Sequence, residues 1–191
     1  MDRCLQDNLT LLIGPMFASK TSWLLHQAQL ANQSNINYIF VKHIFENRNL
    51  ETPEPYTHNH VTYKSFKVNM VETQTLKDII DVLLTFDMIF IDEGQFFSDL
   101  VEIVTLLANK GKNIAVAGLS SDFRQLPFEN INNLIPYCDN IIHMRSVCVY
   151  CKNSAIFSIR KTKDERLFVV GDSDIYIVVC RKCLQKDQLK K

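Results

Sequence analysis

The stretch that most constrains this chain is Leu9 to Trp23, reading Leu-Thr-Leu-Leu-Ile-Gly-Pro-Met-Phe-Ala-Ser-Lys-Thr-Ser-Trp. Leu9, Leu11, Leu12 and Ile13 form an apolar run that ends at Gly14, and Lys20-Thr21 begins six residues later. A buried strand, a tight loop and a helix are expected in that order. The spacing is that of a phosphate-binding loop, G-x-x-x-x-G-K-[ST], with Ser19 where the second glycine usually sits. The loop Gly14, Pro15, Met16, Phe17, Ala18 and Ser19 would turn N–H groups toward an anion at a helix N-terminus, where the helix dipole adds attraction. Lys20 would reach the β- and γ-phosphates of ATP, and the Thr21 hydroxyl would bind Mg²⁺. Serine suits position 19 only where no positive φ is needed. The alternative is a strand-to-helix turn that happens to contain Gly and Lys.

A second stretch narrows the choice. Met88-Ile-Phe-Ile-Asp92-Glu93-Gly94-Gln95-Phe96-Phe97 is a strand ending in two acids. Ligands of parallel α/β sheets gather at the carboxyl ends of strands, which places Asp92 and Glu93 beside the phosphates. Asp92 would hold Mg²⁺, and Glu93 would be free to take a proton from an attacking hydroxyl. Gln95 follows on the same turn and joins the expected nucleotide-binding set. Acids that merely cap the next helix are the bland alternative. Both motifs in one chain favour a P-loop phosphotransferase or NTPase.

The rest of the first 120 or so residues alternates strands with helices. A helix is expected from Lys20 to about Gln33, then a continuous apolar strand at Tyr38 to Lys42. His43 to His60 has two prolines and no apolar period, as in a surface loop. Thr75 is placed to cap a helix carrying Leu76, Ile79, Ile80, Leu83 and Leu84. Ser98 is expected to open another helix to about Asn109, and Asn113 to Ala117 a further strand. The fold class is therefore α/β, a P-loop domain with a mostly parallel sheet flanked by helices.

Six cysteines include two C-x-x-C pairs, Cys148/Cys151 and Cys180/Cys183, with 28 residues between the pairs. Four thiolates on two knuckles suit a closed tetrahedral Zn²⁺ site that pins a long excursion at its base. Two separate redox motifs are the alternative. Cys4 and Cys138 have no partner spacing. The division expected is 1–145 for the nucleotide-binding domain, whose own sheet does not need the metal, and 146–191 for a small zinc-bound lasso domain. Lys+Arg and Asp+Glu are both 21, so no basic field points to nucleic acid. No apolar run approaches the ~20 residues of a membrane span. A soluble chain of the cytoplasm is the expectation.

Taken together, Gly-Pro-Met-Phe-x-x-Lys-Thr, Asp-Glu-Gly-Gln-Phe-Phe and the paired cysteines resemble the type II thymidine kinases of cells and large DNA viruses. The likeness runs from about Leu9 to Leu184. It implies transfer of the γ-phosphate of ATP to the 5′-hydroxyl of thymidine, with deoxyuridine as a further substrate. It also implies Glu93 as general base, Arg48 on the phosphates and a lasso at about Ala155 to Val179 held by zinc over the nucleoside. Met16, Phe96, Leu119, Phe123 and Phe128 would line the nucleoside pocket. Leu167, Phe168, Val169, Val170 and Gly171 would offer backbone hydrogen bonds to the base, and Tyr176 would close over the sugar. A homotetramer is implied as well. The chain departs from the family pattern at Ser19, at Ser120-Ser121-Asp122 in place of Asp-Gly-Thr, and at Asp172 in place of glycine. A P-loop ATPase and an idle nucleotide- and zinc-binding protein remain the alternative readings.

Overall fold

The computed structural model describes residues 8–44, 68–162, 164–167, 169, 171 and 173–188. Strand β1 (Leu9–Gly14) leads through the loop into helix α1 (Lys20–Gln33), and β2 (Tyr38–His43) follows. Next come β3 (Met70–Thr73), the short α2 (Ile80–Leu83), β4 (Met88–Ile91), α3 (Leu100–Asn109) and β5 (Asn113–Leu119). Helix α4 (Glu129–Leu134) then leads to β6 (Asn140–His143). These six strands form one sheet in the order β3-β2-β4-β5-β1-β6, every pairing parallel.

Period-two alternation divides the strand residues between two cores. Leu9, Leu11, Ile39, Val41, Ile89, Ile91, Ile114 and Val116 face Leu100, Ile103, Val104 and Leu107 of α3. Leu12, Tyr38, Phe40, Met88, Phe90, Ala115 and Ala117 face Leu24, Leu25, Ala28 and Ala31 of α1. Both faces are covered, which is why these strands read as continuous apolar runs. The connection from β1 carries α1 on one face toward β2, whereas α3 and α4 return on the other face toward β6. Ligands of such sheets collect at the carboxyl edge where the direction of winding reverses.

The remainder is built from hairpins. Strand β7 (Ser146–Val147) pairs antiparallel with β8 (Ser154–Ala155), and β9 (Phe157–Arg160) pairs with β10 (Tyr176–Val179) before helix α5 (Arg181–Gln188). Cys148, Ala155, Val178, Val179, Cys180 and Leu184 make a third core. Met16 and Phe17 of the phosphate loop pack against it.

Three expectations change in detail. The helix after Thr75 is broken into a 3-10 turn, Lys77–Ile79, and α2, because Ile79 leaves helical geometry (φ −117°, ψ 16°). Thr75 still accepts from the Asp78 N–H, at 3.4 Å. Helix α3 starts at Leu100, not Ser98, and the Asp99 carboxylate accepts the Lys77 N–H at 2.8 Å instead of capping its own helix. Strand β5 extends two residues past Ala117, since Gly118 and Leu119 pair with Ile13 and Gly14.

Candidate active site

Gly14, Asp92 and Leu119 come together at the carboxyl edge because β1, β5 and β4 are adjacent and parallel. Gly14 is needed there for close approach: a Cβ would lie 2.7 Å from the Met144 carbonyl oxygen. Ser19, just before α1, has φ 62° and ψ 28°, so the position does take the positive φ that serine suits poorly. It is a left-handed position held by a residue with a Cβ, and its side chain makes no capping bond. Lys20 is buried, and its ammonium donates to the carbonyls of Pro15 (2.7 Å) and Gly14 (3.3 Å). Burial lowers its pKa, while the negative charges of Glu93 and then Asp92 pull the other way. Lysine and acids thus share one electrostatic site. Thr21 is half-buried on the first turn of α1.

Asp92 is almost fully buried, and its Oδ1 accepts the Glu93 N–H at 3.1 Å. Glu93 is also left-handed (φ 50°, ψ 47°), a conformation that costs of order 1–3 kcal/mol and persists where the surroundings fix it. Gln95 does part of the fixing. Its Nε2 donates to the Glu93 carboxylate at 2.5 Å, and its Oε1 accepts the Leu119 N–H at 3.1 Å. The amide therefore acts on the acid rather than only on a nucleotide, a role the sequence motif did not disclose. Buried Asp92 and half-buried Thr21 are both hard oxygen donors beside the loop, a set that fits Mg²⁺.

The expected nucleoside-side residues lie around the same edge and the β9–β10 hairpin. Phe96 is half-buried and packs on His43 with ring centroids 5.6 Å apart. Phe128 is buried in the α3-side core, and Leu119 packs against that core. Phe123 is only half-buried and lies under the Arg160 guanidinium, 3.8 Å from its centroid. Arg160 was missed by the sequence reading. It is 7% exposed and donates to the carbonyls of Asp164, Arg166 and Leu167 and to the Tyr176 hydroxyl. Tyr176 in turn donates to the Val169 carbonyl at 2.9 Å. Gly171 is half-buried near the tip. The available signal was Phe-Ser-Ile-Arg, in which Ser158 and Arg160 alternate onto the buried side of β9. Arg48, Phe168, Val170 and Asp172 lie outside the described residues.

Cys148, Cys151, Cys180 and Cys183 offer four Sγ atoms all within 4.8 Å of one another. A tetrahedral Zn²⁺ with Zn–S of about 2.3 Å sets its sulfurs about 3.8 Å apart, so the cluster fits that ion. Burial raises the Cys148 thiol pKa, but backbone N–H groups of Cys151, Cys180 and Tyr150 outweigh it and bring the value down to about 6. Burial, with hydrogen bonds to the other three thiols, pushes Cys183 up to about 12. The crowding of the four thiols thus makes Cys183 hard to ionise unless a cation neutralises the charge.

A parallel α/β sheet with a phosphate loop, a buried lysine and paired carboxylates on one edge defines the P-loop nucleotide-binding class. The model of the thymidine kinase family matches residues 7–184, and the chain belongs to that family. It is 35% identical over 176 residues to the thymidine kinase of raccoon poxvirus, covering 92% of this chain and 96% of that protein. It is 34% identical over 182 residues to that of Choristoneura biennis entomopoxvirus, covering 94% and 97%. Among solved structures it shares its fold with flagellar accessory protein FlaH from Methanocaldococcus jannaschii. That likeness has TM-score 0.52 and 12% identity and covers 77% of this chain and 74% of the other, so it bears on fold alone.

Proposed function

We propose that the chain is an ATP:thymidine 5′-phosphotransferase. The observation that carries this reading is the Glu93 carboxylate, held by Gln95 at the sheet edge in the field of Lys20. The 5′-hydroxyl oxygen attacks the γ-phosphorus of ATP, and its proton passes to Glu93. The bond from the γ-phosphorus to the β–γ bridging oxygen breaks, and ADP leaves. Lys20 turns from the loop carbonyls to the β- and γ-phosphates. Arg48 contacts phosphate during transfer. Thr21 and Asp92 would hold Mg²⁺, whose charge offsets that of the phosphate oxygens.

Phe96, Phe123, Phe128, Leu119 and Met16 form the apolar walls for a flat pyrimidine, and the backbone of 167–171 supplies its polar contacts. The four cysteines would hold a structural Zn²⁺ that pins the lasso at its base. The third core around them supports a division at about residue 145. The family likeness also carries a homotetramer, which sedimentation velocity tests. No helix among the described residues is long and apolar enough to cross a membrane.

The test is ATP and Mg²⁺ with radiolabelled thymidine, deoxyuridine or deoxycytidine, for the wild type and Glu93→Gln. Expected is one dTMP per ADP, with turnover of the variant down about 10²–10⁴ and ATP binding little changed. ADP without any labelled nucleoside monophosphate would make the protein an ATPase, and no ADP at all an idle binder. A near-normal rate in Glu93→Gln would remove that residue from the mechanism.

A further inference from the structure

Glu93 sits on a strained backbone, so something beyond its own turn must hold that turn in place. Within the turn, Phe96 and Phe97 N–H groups return to the Glu93 and Gly94 carbonyls at 3.0 and 3.2 Å. Outside it stands Asn130, on α4. Its Nδ2 lies 3.2, 2.9 and 2.9 Å from the carbonyl oxygens of Gly94, Gln95 and Phe97. The two amide hydrogens are shared among three acceptors. The amide can point only this way, because its oxygen in the same place would face three carbonyl oxygens. That oxygen instead accepts the Ile131 N–H at 3.0 Å.

The consequence for Glu93 runs through Gln95. The Gln95 side chain bridges the Glu93 carboxylate and the Leu119 N–H, and Asn130 grips the Gln95 carbonyl. A shift of the 94–97 turn would move the Gln95 side chain away from both of its partners. We propose that Asn130 is a positioning residue for phosphoryl transfer, fixing the 94–97 turn so that the Glu93 carboxylate meets the reacting hydroxyl. The proposal rests on the reading of Glu93 as the base. Nothing in Asn130's position in the sequence indicates it, since the contacts span 33 to 36 residues.

The test compares Asn130→Asp, Asn130→Ser, Glu93→Gln and the Asn130→Asp/Glu93→Gln double variant. For each, kcat, KM for ATP and the unfolding temperature are measured. The Asp variant sets carboxylate oxygens against three carbonyls. It is expected to lower kcat about 100-fold, the scale of a 1 Å misplacement, with KM for ATP within about threefold. Serine keeps one donor and should restore part of the rate. An Asn130 that acts through Glu93 leaves the double variant as fast as Glu93→Gln alone. A wild-type kcat in Asn130→Asp, or full multiplication of the two losses, overturns the proposal. A near-normal rate in Glu93→Gln instead overturns the base reading itself, seen in that variant alone. If Asn130→Asp is unfolded at the assay temperature, Asn130→Ser carries the same comparison, and an unchanged kcat there overturns the proposal.

Discussion

The Met16 N–H donates to the Ser158 hydroxyl at 2.9 Å, joining the phosphate loop to strand β9 across 142 residues of sequence. The loop that would hold ATP therefore leans on the hairpin that would cover the nucleoside. Ser158→Ala leaves a partly buried N–H without its acceptor, at a cost of about 1 kcal/mol. ATP affinity measured by calorimetry should fall about fivefold. Unchanged affinity would show that the loop holds its shape unaided.

The same contact alters what zinc removal should do. Structural zinc contributes on the order of 10–16 kcal/mol to small metal-dependent folds. Met16 and Phe17 pack on the cysteine core, so its loss should reach both ligands. Elemental analysis should find about one zinc per chain. Chelation or Cys180→Ser should abolish thymidine binding and also weaken ATP binding, less severely. Thymidine affinity that survives chelation would disprove the lasso reading.

Ser19 occupies a left-handed backbone position without a capping bond to show for it. Glycine removes the Cβ clash, worth about 1 kcal/mol. Ser19→Gly should raise the unfolding temperature by about 2–4 °C, with ATP affinity held or improved. A strong loss of ATP affinity would mean that the exposed Ser19 hydroxyl contacts the nucleotide.

Arg160 is a buried cation whose head makes four hydrogen bonds and stacks on Phe123. Lysine cannot reproduce that planar fork. Arg160→Lys should raise KM for thymidine more than tenfold and leave KM for ATP within about threefold. Equal rises in both would place Arg160 in the scaffold of the whole site rather than in the nucleoside cover.

The parts legible in the sequence were those with long apolar runs or fixed chemical spacing. Strands β1, β2, β4 and β5 are buried on both faces, and α1 and α3 pack one side on the sheet. Strands β3 and β6 escaped notice because each is four residues long and sits at a sheet edge, half-buried, with Glu72 or Asn140 in its run. The charge pair Asp92-Glu93 and the cysteines announced themselves by type. Gln95, Asn130, Ser158 and Arg160 did not, because each acts on a backbone or side-chain group that only the fold brings near. Ser19 shows the limit most plainly, since a residue type states a preference for φ and the loop geometry overrides it.

Strand β1 is made first, yet both its neighbours, β5 and β6, come after residue 112 in the chain. Its Leu9 N–H waits for the carboxylate of Asp139, which it meets at 2.8 Å. At about 5–20 residues per second, a ribosome needs on the order of 10 s to pass from β1 to β6. Until β5 follows, Leu9 to Ile13 is an apolar segment with two open edges, and until β6 follows it keeps one, the kind of stretch that pairs with other chains. Parallel pairings over such distances also form slowly. Folding of the nucleotide site is thus a late event in the life of the nascent chain, and a product that stops before Asn140 has an unprotected strand to aggregate through.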